Sequence, residues 1–173
     1  MNNSIGHILL ILLNFPRILP HIICYICSNN RTIIKADLLA RPTYWNLSPK
    51  EKGGMLFRPL CFSLIQEPEF RNIFYHRIGF ARHFLNILLP RISSMRLCSH
   101  IGPGFYPVHS YSTIINGRAW IGKNCSVMHN VTIGIGKGGV PTIGDNVHIG
   151  AGAIILGGIT IGNNVRIGAG AIV

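Results

Sequence analysis

The sequence predicts a mainly β protein, a parallel β-helix preceded by an α-helical region. Two observations support the β-helix: aliphatic residues recur every six positions in the C-terminal half, and a glycine often follows the aliphatic residue directly. A period of six fits neither an α-helix nor a lone strand, and it is the signature of hexapeptide β-helices. The recurring aliphatic residues are Ile115, Ile121, Val127, Ile133, Ile143, Ile149, Ile155, Ile161, Ile167 and Val173.

Two interruptions of this repeat predict two loops. Two extra residues fall between Ile101 and Ile115, around His109, and four extra residues fall between Ile133 and Ile143. Each must leave the regular coil, and loops on rigid scaffolds often carry function. Three six-residue sides make one triangular coil, so the repeat supplies a little over three turns.

The N-terminal part, residues 1–96, is predicted to be an α-helical region, followed by a β-helix domain over residues 97–173. An apolar run over residues 5–15 predicts a buried or oligomer-facing helix, too short to span a bilayer. Pro16 and Pro20 are expected to end it, because proline breaks helices. Membrane-surface contact through this segment is the alternative.

Later helices are indicated by prolines at first helical positions. Pro49 and Pro68 each mark a predicted start. From Pro68 apolar residues continue at helical spacing to Leu88 and predict one helix, which Pro90 ends. A short helix around residues 33–39 is also expected.

Charge and cysteine content narrow the functional classes. The formal net charge is +11, and residues 1–96 hold 12 Lys and Arg against four acidic residues. A basic surface suits a phosphorylated cofactor, a nucleic acid or a membrane, or serves solubility alone. No basic stripe interleaved with aromatic residues is present, so nucleic acid is not expected. Five cysteines, an odd number without a disulfide framework, indicate a reducing, cytoplasmic compartment in which Cys24 and Cys27 pack as small hydrophobes.

Several segments of the repeat carry a family resemblance. They are residues 104–109 (GFYPVH), 131–134 (VTIG), 143–147 (IGDNV), 149–153 (IGAGA) and 167–171 (IGAGA). Through them the chain resembles the hexapeptide acyltransferase superfamily, and within it the serine acetyltransferases of cysteine biosynthesis. The resemblance implies a left-handed parallel β-helix, a homotrimer with a dimer of trimers as a further option, and active sites in clefts between chains. It implies acetyl-CoA as acyl donor and a small-molecule hydroxyl acceptor.

The same resemblance assigns candidate site residues. His109 matches the family's catalytic histidine, and histidine suits a general base because its pKa lies near neutrality. Gly134 matches a glycine near the thioester, and backbone N–H groups near Gly134 and Gly136 are candidate oxyanion donors. Ala151 and Ala169 match small residues that flank the pantetheine arm of CoA.

Further residues are weaker candidates for binding the CoA phosphates or a metal ion. Lys137 and Arg166 could meet the phosphates through their charge. The histidines His109, His129 and His148 make a zinc hydratase of the gamma carbonic anhydrase type a remote alternative. The close histidine pair of that family is missing, so no metal is expected.

Three departures from the serine acetyltransferase pattern concern the acceptor. Val108 stands where an aspartate precedes the histidine, and residues 93–95 (Ser-Ser-Met) stand where a carboxylate orients it. Residues 139–140 (Gly-Val) replace an Arg-His pair in the second loop. Serine stays narrowly ahead of a sugar hydroxyl on a surface-polysaccharide precursor as the expected acceptor. The repeat stops at Val173 in mid-rhythm, from which a truncated C-terminus is expected.

Overall fold

A computed structural model describes residues 3–42 and 56–173. The chain divides into two compact units, Met1–Arg91 and Ile92–Val173, called here the helical unit and the β-helix unit. The helix start predicted at Pro49 lies outside the described residues.

The first helix, α1, spans Asn3–Cys27 and runs through Pro16 and Pro20 without a break. The prediction that these prolines end the helix is wrong. An interior proline removes a backbone hydrogen bond and costs about 3 kcal/mol. The buried face of α1, which includes Ile18 and Ile22, packs into the core of the helical unit and offsets that cost.

The other described helices of this unit are shorter. They are α2 (Arg31–Leu39), α3 (Phe57–Gln66), α4 (Pro68–Ile78), a 3₁₀ turn (Gly79–Ala81) and α5 (Arg82–Leu88). The short helix expected around residues 33–39 is confirmed, and so is the helix start at Pro68. The single helix predicted from Pro68 to Leu88 is wrong, because Gly79 adopts a φ of 68° and interrupts it.

Buried polar groups tie these helices together. His21 Nε2 on α1 hydrogen-bonds the Tyr75 hydroxyl on α4 at 2.8 Å, and that hydroxyl donates to the Leu89 carbonyl at 2.6 Å. On the other side of α4, Arg77 donates to the Asp37 carboxylate on α2 at 2.9 Å, and both side chains are buried. The helices are therefore positioned by specific polar pairs as well as by apolar packing.

The β-helix unit winds short strands into parallel sheets, which confirms the predicted fold class. The strands are β1 (His100–Ile101), β2 (Tyr106–Pro107), β3 (Ile114–Ile115), β4 (Trp120–Ile121), β5 (Ser126–Val127), β6 (Thr132–Gly134), β7 (Thr142–Ile143), β8 (His148–Ile149), β9 (Ile154–Leu156), β10 (Thr160–Ile161) and β11 (Arg166–Ile167). The first sheet has the order β1-β4-β7-β10, the second β11-β8-β5-β2 and the third β3-β6-β9.

Strand register explains the spacing of the repeat. In the first sheet Ile101 pairs with Ile121, Ile121 with Ile143 and Ile143 with Ile161, so one coil takes 20, 22 and then 18 residues. These core positions point inward, and Ile121 and Ile143 are almost fully buried. The longer coils contain the two predicted loops, whose positions are thus confirmed.

One corner of the coil carries a stack of asparagines that the sequence analysis missed. Asn124, Asn146 and Asn164 all have φ between 54° and 60°, in the left-handed region where asparagine is favoured over other non-glycine residues. Their side chains form a ladder, with Asn124 donating to Asn146 at 3.2 Å and Asn146 to Asn164 at 3.0 Å. Gly104 takes the same position in the first coil with a φ of 79°.

Candidate functional site

The first loop, called here the histidine loop (residues 108–113), follows β2 and carries His109. His109 is exposed, with a φ of 45°, and its carbonyl accepts a hydrogen bond from the Tyr111 N–H at 2.7 Å. Ser112 also has a positive φ, of 54°. The two extra residues are therefore taken up by a tight, left-handed bulge that presents the histidine at the surface.

Buried polar groups anchor this loop. Ser110 and Thr113 are fully buried. The Thr113 hydroxyl donates to the Met128 carbonyl of the next coil at 2.9 Å. The Ser110 hydroxyl donates to the Met95 sulfur at 3.3 Å. The exposed histidine thus lies on a loop that the hydrogen bonds of two buried hydroxyl groups hold in place.

Residues 93–95, which stand where the serine acetyltransferase pattern has a carboxylate that orients the histidine, lie against this loop. Ser94 Oγ accepts a hydrogen bond from the Ser112 N–H at 3.3 Å, and Met95 contacts Ser110 as described. These side-chain contacts from the segment to the loop thus come from a hydroxyl and a thioether. Asp145, the one acidic residue of residues 97–173, instead accepts from the Lys123 N–H at 2.8 Å at another corner.

Strand register places His129, Ala151 and Ala169 on the same corner as His109. Each lies two residues after a core position of the second sheet, and those core positions pair from coil to coil. The His129 carbonyl accepts from the Gly152 N–H at 3.0 Å, and the Ala151 carbonyl accepts from the Gly170 N–H at 2.8 Å. Two histidines and then two alanines therefore follow one another along one edge of the β-helix. The two alanines place only small side chains on that edge.

The second loop, called here the glycine loop (residues 135–141), follows β6. Gly136 and Gly139 face each other in a small antiparallel bridge, in which the Gly136 N–H donates to the Gly139 carbonyl at 2.9 Å. The Gly136 N–H is thus already bonded within the loop, and the expectation that it is an open oxyanion donor does not fit this conformation. Gly134 lies two residues earlier, at the end of β6, where it pairs with Leu156.

The glycine loop rests on a glycine pair in the next coil. The Gly158 N–H donates to the Lys137 carbonyl at 2.9 Å. A Cβ on Gly136 would lie 2.9 Å from the Gly157 nitrogen, too close for any side chain without movement of the backbone. The lack of a Cβ at Gly136, Gly157 and Gly158 therefore lets the backbone of the loop pack directly against the next coil.

The structure separates the candidate residues into two groups within one chain. His109, Ala151 and Ala169 lie at the corner between the second and third sheets. Gly134 and Gly136 lie at the corner between the third and first sheets, so the flat side formed by β3, β6 and β9 separates the two groups. A single copy does not bring the proposed base next to the proposed thioester glycine.

The remaining candidates lie on flat sides or in loops. His148 Nδ1 hydrogen-bonds the Ser126 hydroxyl at 2.6 Å on the second sheet. Arg166 follows on the same face one coil later, and Lys137 is exposed in the glycine loop. No cluster of three or more His, Cys, Asp or Glu that could hold a metal occurs in the described parts of the chain.

The sequence analysis missed an open groove on the first sheet. The Trp120 ring stacks on the His100 ring with centroids 4.8 Å apart and an interplanar angle of 17°. Lys123 and Asp145 line the same groove, which has a volume of about 500 Å³. The signal was the outward position of Trp120, directly before a core isoleucine.

Comparison with known proteins gives this fold a family context. A family model described as "bacterial transferase hexapeptide (six repeats)" matches residues 141–173. The chain carries a hexapeptide-repeat β-helix. A 64-residue stretch is 47% identical to mitochondrial serine acetyltransferase 3 of Arabidopsis thaliana, covering 34% of this chain and 16% of that protein. The predicted resemblance to hexapeptide acyltransferases, and among them to serine acetyltransferases, is thereby confirmed.

Solved structures extend the likeness beyond the hexapeptide repeat. Serine acetyltransferase from Neisseria gonorrhoeae in complex with serine matches with a TM-score of 0.61 and 30% identity, over 82% of this chain and 61% of that one. Serine acetyltransferase from Brucella abortus in complex with coenzyme A matches with a TM-score of 0.57 and 26% identity, over 81% and 58%. The chain therefore spans less than two thirds of these proteins. Because the match covers more of the chain than the repeat does, it includes part of the helical region.

Proposed function

We propose that this chain acts as an O-acetyltransferase that moves the acetyl group of acetyl-CoA to the hydroxyl of L-serine. The observation that carries the proposal is the fold match over about four fifths of the chain to serine acetyltransferases, one solved with serine and one with coenzyme A. The curated relative with 47% identity over 64 residues supports the same activity.

In this proposal His109 is the general base. The acceptor hydroxyl oxygen attacks the thioester carbonyl carbon while the imidazole takes the hydroxyl proton. The carbon–sulfur bond of the tetrahedral intermediate then breaks, and the leaving CoA sulfur takes up that proton. The exposed, left-handed position of His109 above a loop fixed by Ser110 and Thr113 suits a group that must meet a substrate from solvent.

The proposed working unit is a homotrimer. His109 and the Ala151–Ala169 edge lie at one corner of the chain, and Gly134 lies at the next corner. A cleft between two copies would bring the first corner of one copy against the second corner of its neighbour. That arrangement supplies the base and the thioester glycine to one site, which a single copy does not.

A sugar hydroxyl is the second candidate acceptor, and one observation favours it. Ser94 and Met95, rather than a carboxylate, contact the histidine loop, and the glycine loop has no arginine or histidine. A zwitterionic amino acid calls for charged partners, whereas a sugar is recognised by neutral hydrogen bonds. A surface-polysaccharide precursor fits the second description.

A thiol-release assay with acetyl-CoA tests both points. L-serine and a panel of sugars are offered to the wild type, to His109→Asn and to His148→Ala. Asparagine tolerates the left-handed backbone of residue 109, so its effect reports the lost base rather than a strained loop. We expect His109→Asn to lower kcat by about 10²–10⁴-fold and His148→Ala to leave it unchanged.

The outcomes separate the candidates. An unchanged rate in His109→Asn would remove His109 as the base. Turnover of a sugar without turnover of serine would replace serine as acceptor and keep the acetyl transfer. Failure of the wild type to release thiol with any acceptor, although it binds CoA, would contradict the proposed activity.

A further inference from the structure

The outward face of α1 is apolar along nearly its whole length. Leu9, Leu12, Leu13 and Ile23 are all more than half exposed, and Leu13 reaches 72%. The opposite face is buried in the helical core. A helix that is apolar all round is covered on both sides in its working state, so something must cover this outward face.

By length and composition, residues 8–27 of α1 could cross a membrane, and no other described helix passes that test. The packing of α1 argues against crossing. His21 is fully buried and bonded to Tyr75, and Ile18 and Ile22 belong to the same core as Phe70. A spanning α1 would have to leave this core. A helix lying flat on a surface keeps it.

A second apolar patch lies on the neighbouring element. Phe80, Phe84 and Ile87, on the 3₁₀ turn and α5, are 77%, 66% and 78% exposed. The Phe80 and Phe84 rings contact each other edge to face with centroids 6.2 Å apart. Arg17 of α1 donates to the Leu88 carbonyl of α5 at 2.7 Å, so the two elements are neighbours.

Basic groups accompany this patch. Arg82, His83 and Arg91 line a small cavity of about 130 Å³ together with Tyr75 and Asn86. The first acidic residue of the chain is Asp37, so α1 carries none. Exposed aromatic and aliphatic side chains beside arginines match the interface of an anionic bilayer, where apolar groups enter the acyl boundary and arginines meet phosphates.

We propose that the outward face of α1 and the exposed side of α5 bind the surface of an anionic lipid bilayer. Charge favours this occupant over a second copy of the chain. Two copies that met through this face would bring Arg17, Arg82 and Arg91 of one against those of the other, whereas anionic lipid headgroups neutralise them. The proposal goes beyond acetyl transfer and does not rest on it.

Vesicle co-sedimentation of the full chain tests the proposal. Vesicles of phosphatidylcholine alone are compared with vesicles that also contain phosphatidylglycerol, at low and high salt. We expect binding to the anionic vesicles that falls with salt. Ile87→Gln should weaken it about tenfold, because an exposed isoleucine loses its place in the lipid. Arg82→Gln should weaken it about fivefold.

Matched controls lie in the β-helix unit. Ile172 is 78% exposed, as is Ile87, so Ile172→Gln removes an equally exposed isoleucine. Arg118→Gln removes the same charge as Arg82→Gln from another exposed site. Both controls should bind like the wild type. Circular dichroism confirms that each variant is folded.

Every other result overturns the proposal. Absence of binding by the intact chain does so, and so does equal binding to neutral and anionic vesicles. Variants and controls that bind alike would show that total charge or general stickiness, not this face, is responsible. If the chain ignores vesicles and Leu13→Gln lowers its mass by light scattering, a second copy covers the face instead.

Discussion

Several polar side chains of the helical unit are buried in its interior, whereas the core of the regular coils in the β-helix unit is apolar. His21, Asp37 and Arg41 are buried among the helices and have specific partners. The buried polar side chains of the β-helix unit are Ser110 and Thr113, both in the histidine loop. Regular coils thus keep their core apolar, and the exception marks the irregular segment that carries His109.

The difference between the units makes different substitutions costly in each. In the helical unit, removal of one polar partner leaves another charge or donor buried. In the β-helix unit the most destabilising change is added side-chain volume, because stacked coils leave no room for a Cβ at certain glycines. The three predictions below test this contrast, from the largest expected effect to the smallest.

Breaking the buried ion pair of the helical unit should have the largest effect. Arg77→Met leaves the fully buried Asp37 carboxylate without its guanidinium, 2.9 Å away in the structure. Removal of one partner of a buried pair lowers the free energy of unfolding by about 3–5 kcal/mol. Urea denaturation followed by far-UV circular dichroism measures the change. Arg31→Met, at an exposed position of α2, serves as control.

Hydrogen exchange by mass spectrometry locates that loss. Amides of α2 and α4 should exchange faster in Arg77→Met, while the strands of the β-helix unit keep their protection. Equal stability of Arg77→Met and Arg31→Met would show that the pair contributes nothing to the helical unit.

Acid should weaken the helical unit through His21. Burial lowers the pKa of His21 from 6.5 to about 4; the charges of Arg71 and Arg17 lower it further, and backbone hydrogen bonds at Arg17 and Leu85 oppose the shift. Above pH 6.5 the side chain is neutral in both states and stability is unaffected. As the pH falls from about 6.5 to 4, only the unfolded chain takes up the proton, so stability falls by up to about 3 kcal/mol.

A pH series of urea midpoints checks this prediction. His21→Gln keeps a polar partner for Tyr75 but does not titrate, and it should remove the His21 share of the loss. His76, whose pKa burial also lowers to about 4, supplies a second share that His76→Gln removes. A slope between pH 6.5 and 4 that is unchanged in His21→Gln would contradict the assignment.

Added volume should have the smallest of the three effects, in the β-helix unit. A Cβ on Gly122 would lie 2.6 Å from the Gly144 backbone of the next coil. Gly122→Ala should therefore lower the free energy of unfolding by about 1–3 kcal/mol. Gly117→Ala is the control, because its Cβ would meet nothing within 4 Å. A thermal melt in which both variants behave alike would contradict the steric argument.

The β-helix was predictable because its physical determinants are local and repeated. Each coil repeats the same inward aliphatic position, so the register of Ile101, Ile121 and Ile143 could be counted from the sequence. The same counting located both loops. It could not show that the Gly136 N–H is bonded across its own loop. It also could not show that His109 and Gly134 occupy different corners, which requires the sheet order.

The helical unit was less predictable because its determinants are distant in sequence. His21 and Tyr75 are 54 residues apart in the sequence, and Asp37 and Arg77 are 40 residues apart. No local sequence pattern predicts either pair. Local rules also misjudged the prolines of α1, where tertiary packing outweighs a lost hydrogen bond. At Gly79 the opposite error occurred, since apolar spacing continued across a residue whose backbone interrupts the helix.

The uneven coil lengths show that the loops can change in length while the core register of the scaffold is kept. Coils of 20, 22 and 18 residues place the same isoleucines above one another. Insertions and deletions in the histidine and glycine loops therefore leave the hydrogen bonds between the coils undisturbed. Evolution can thus lengthen, shorten or exchange either loop as a separate module while the coil scaffold stays the same.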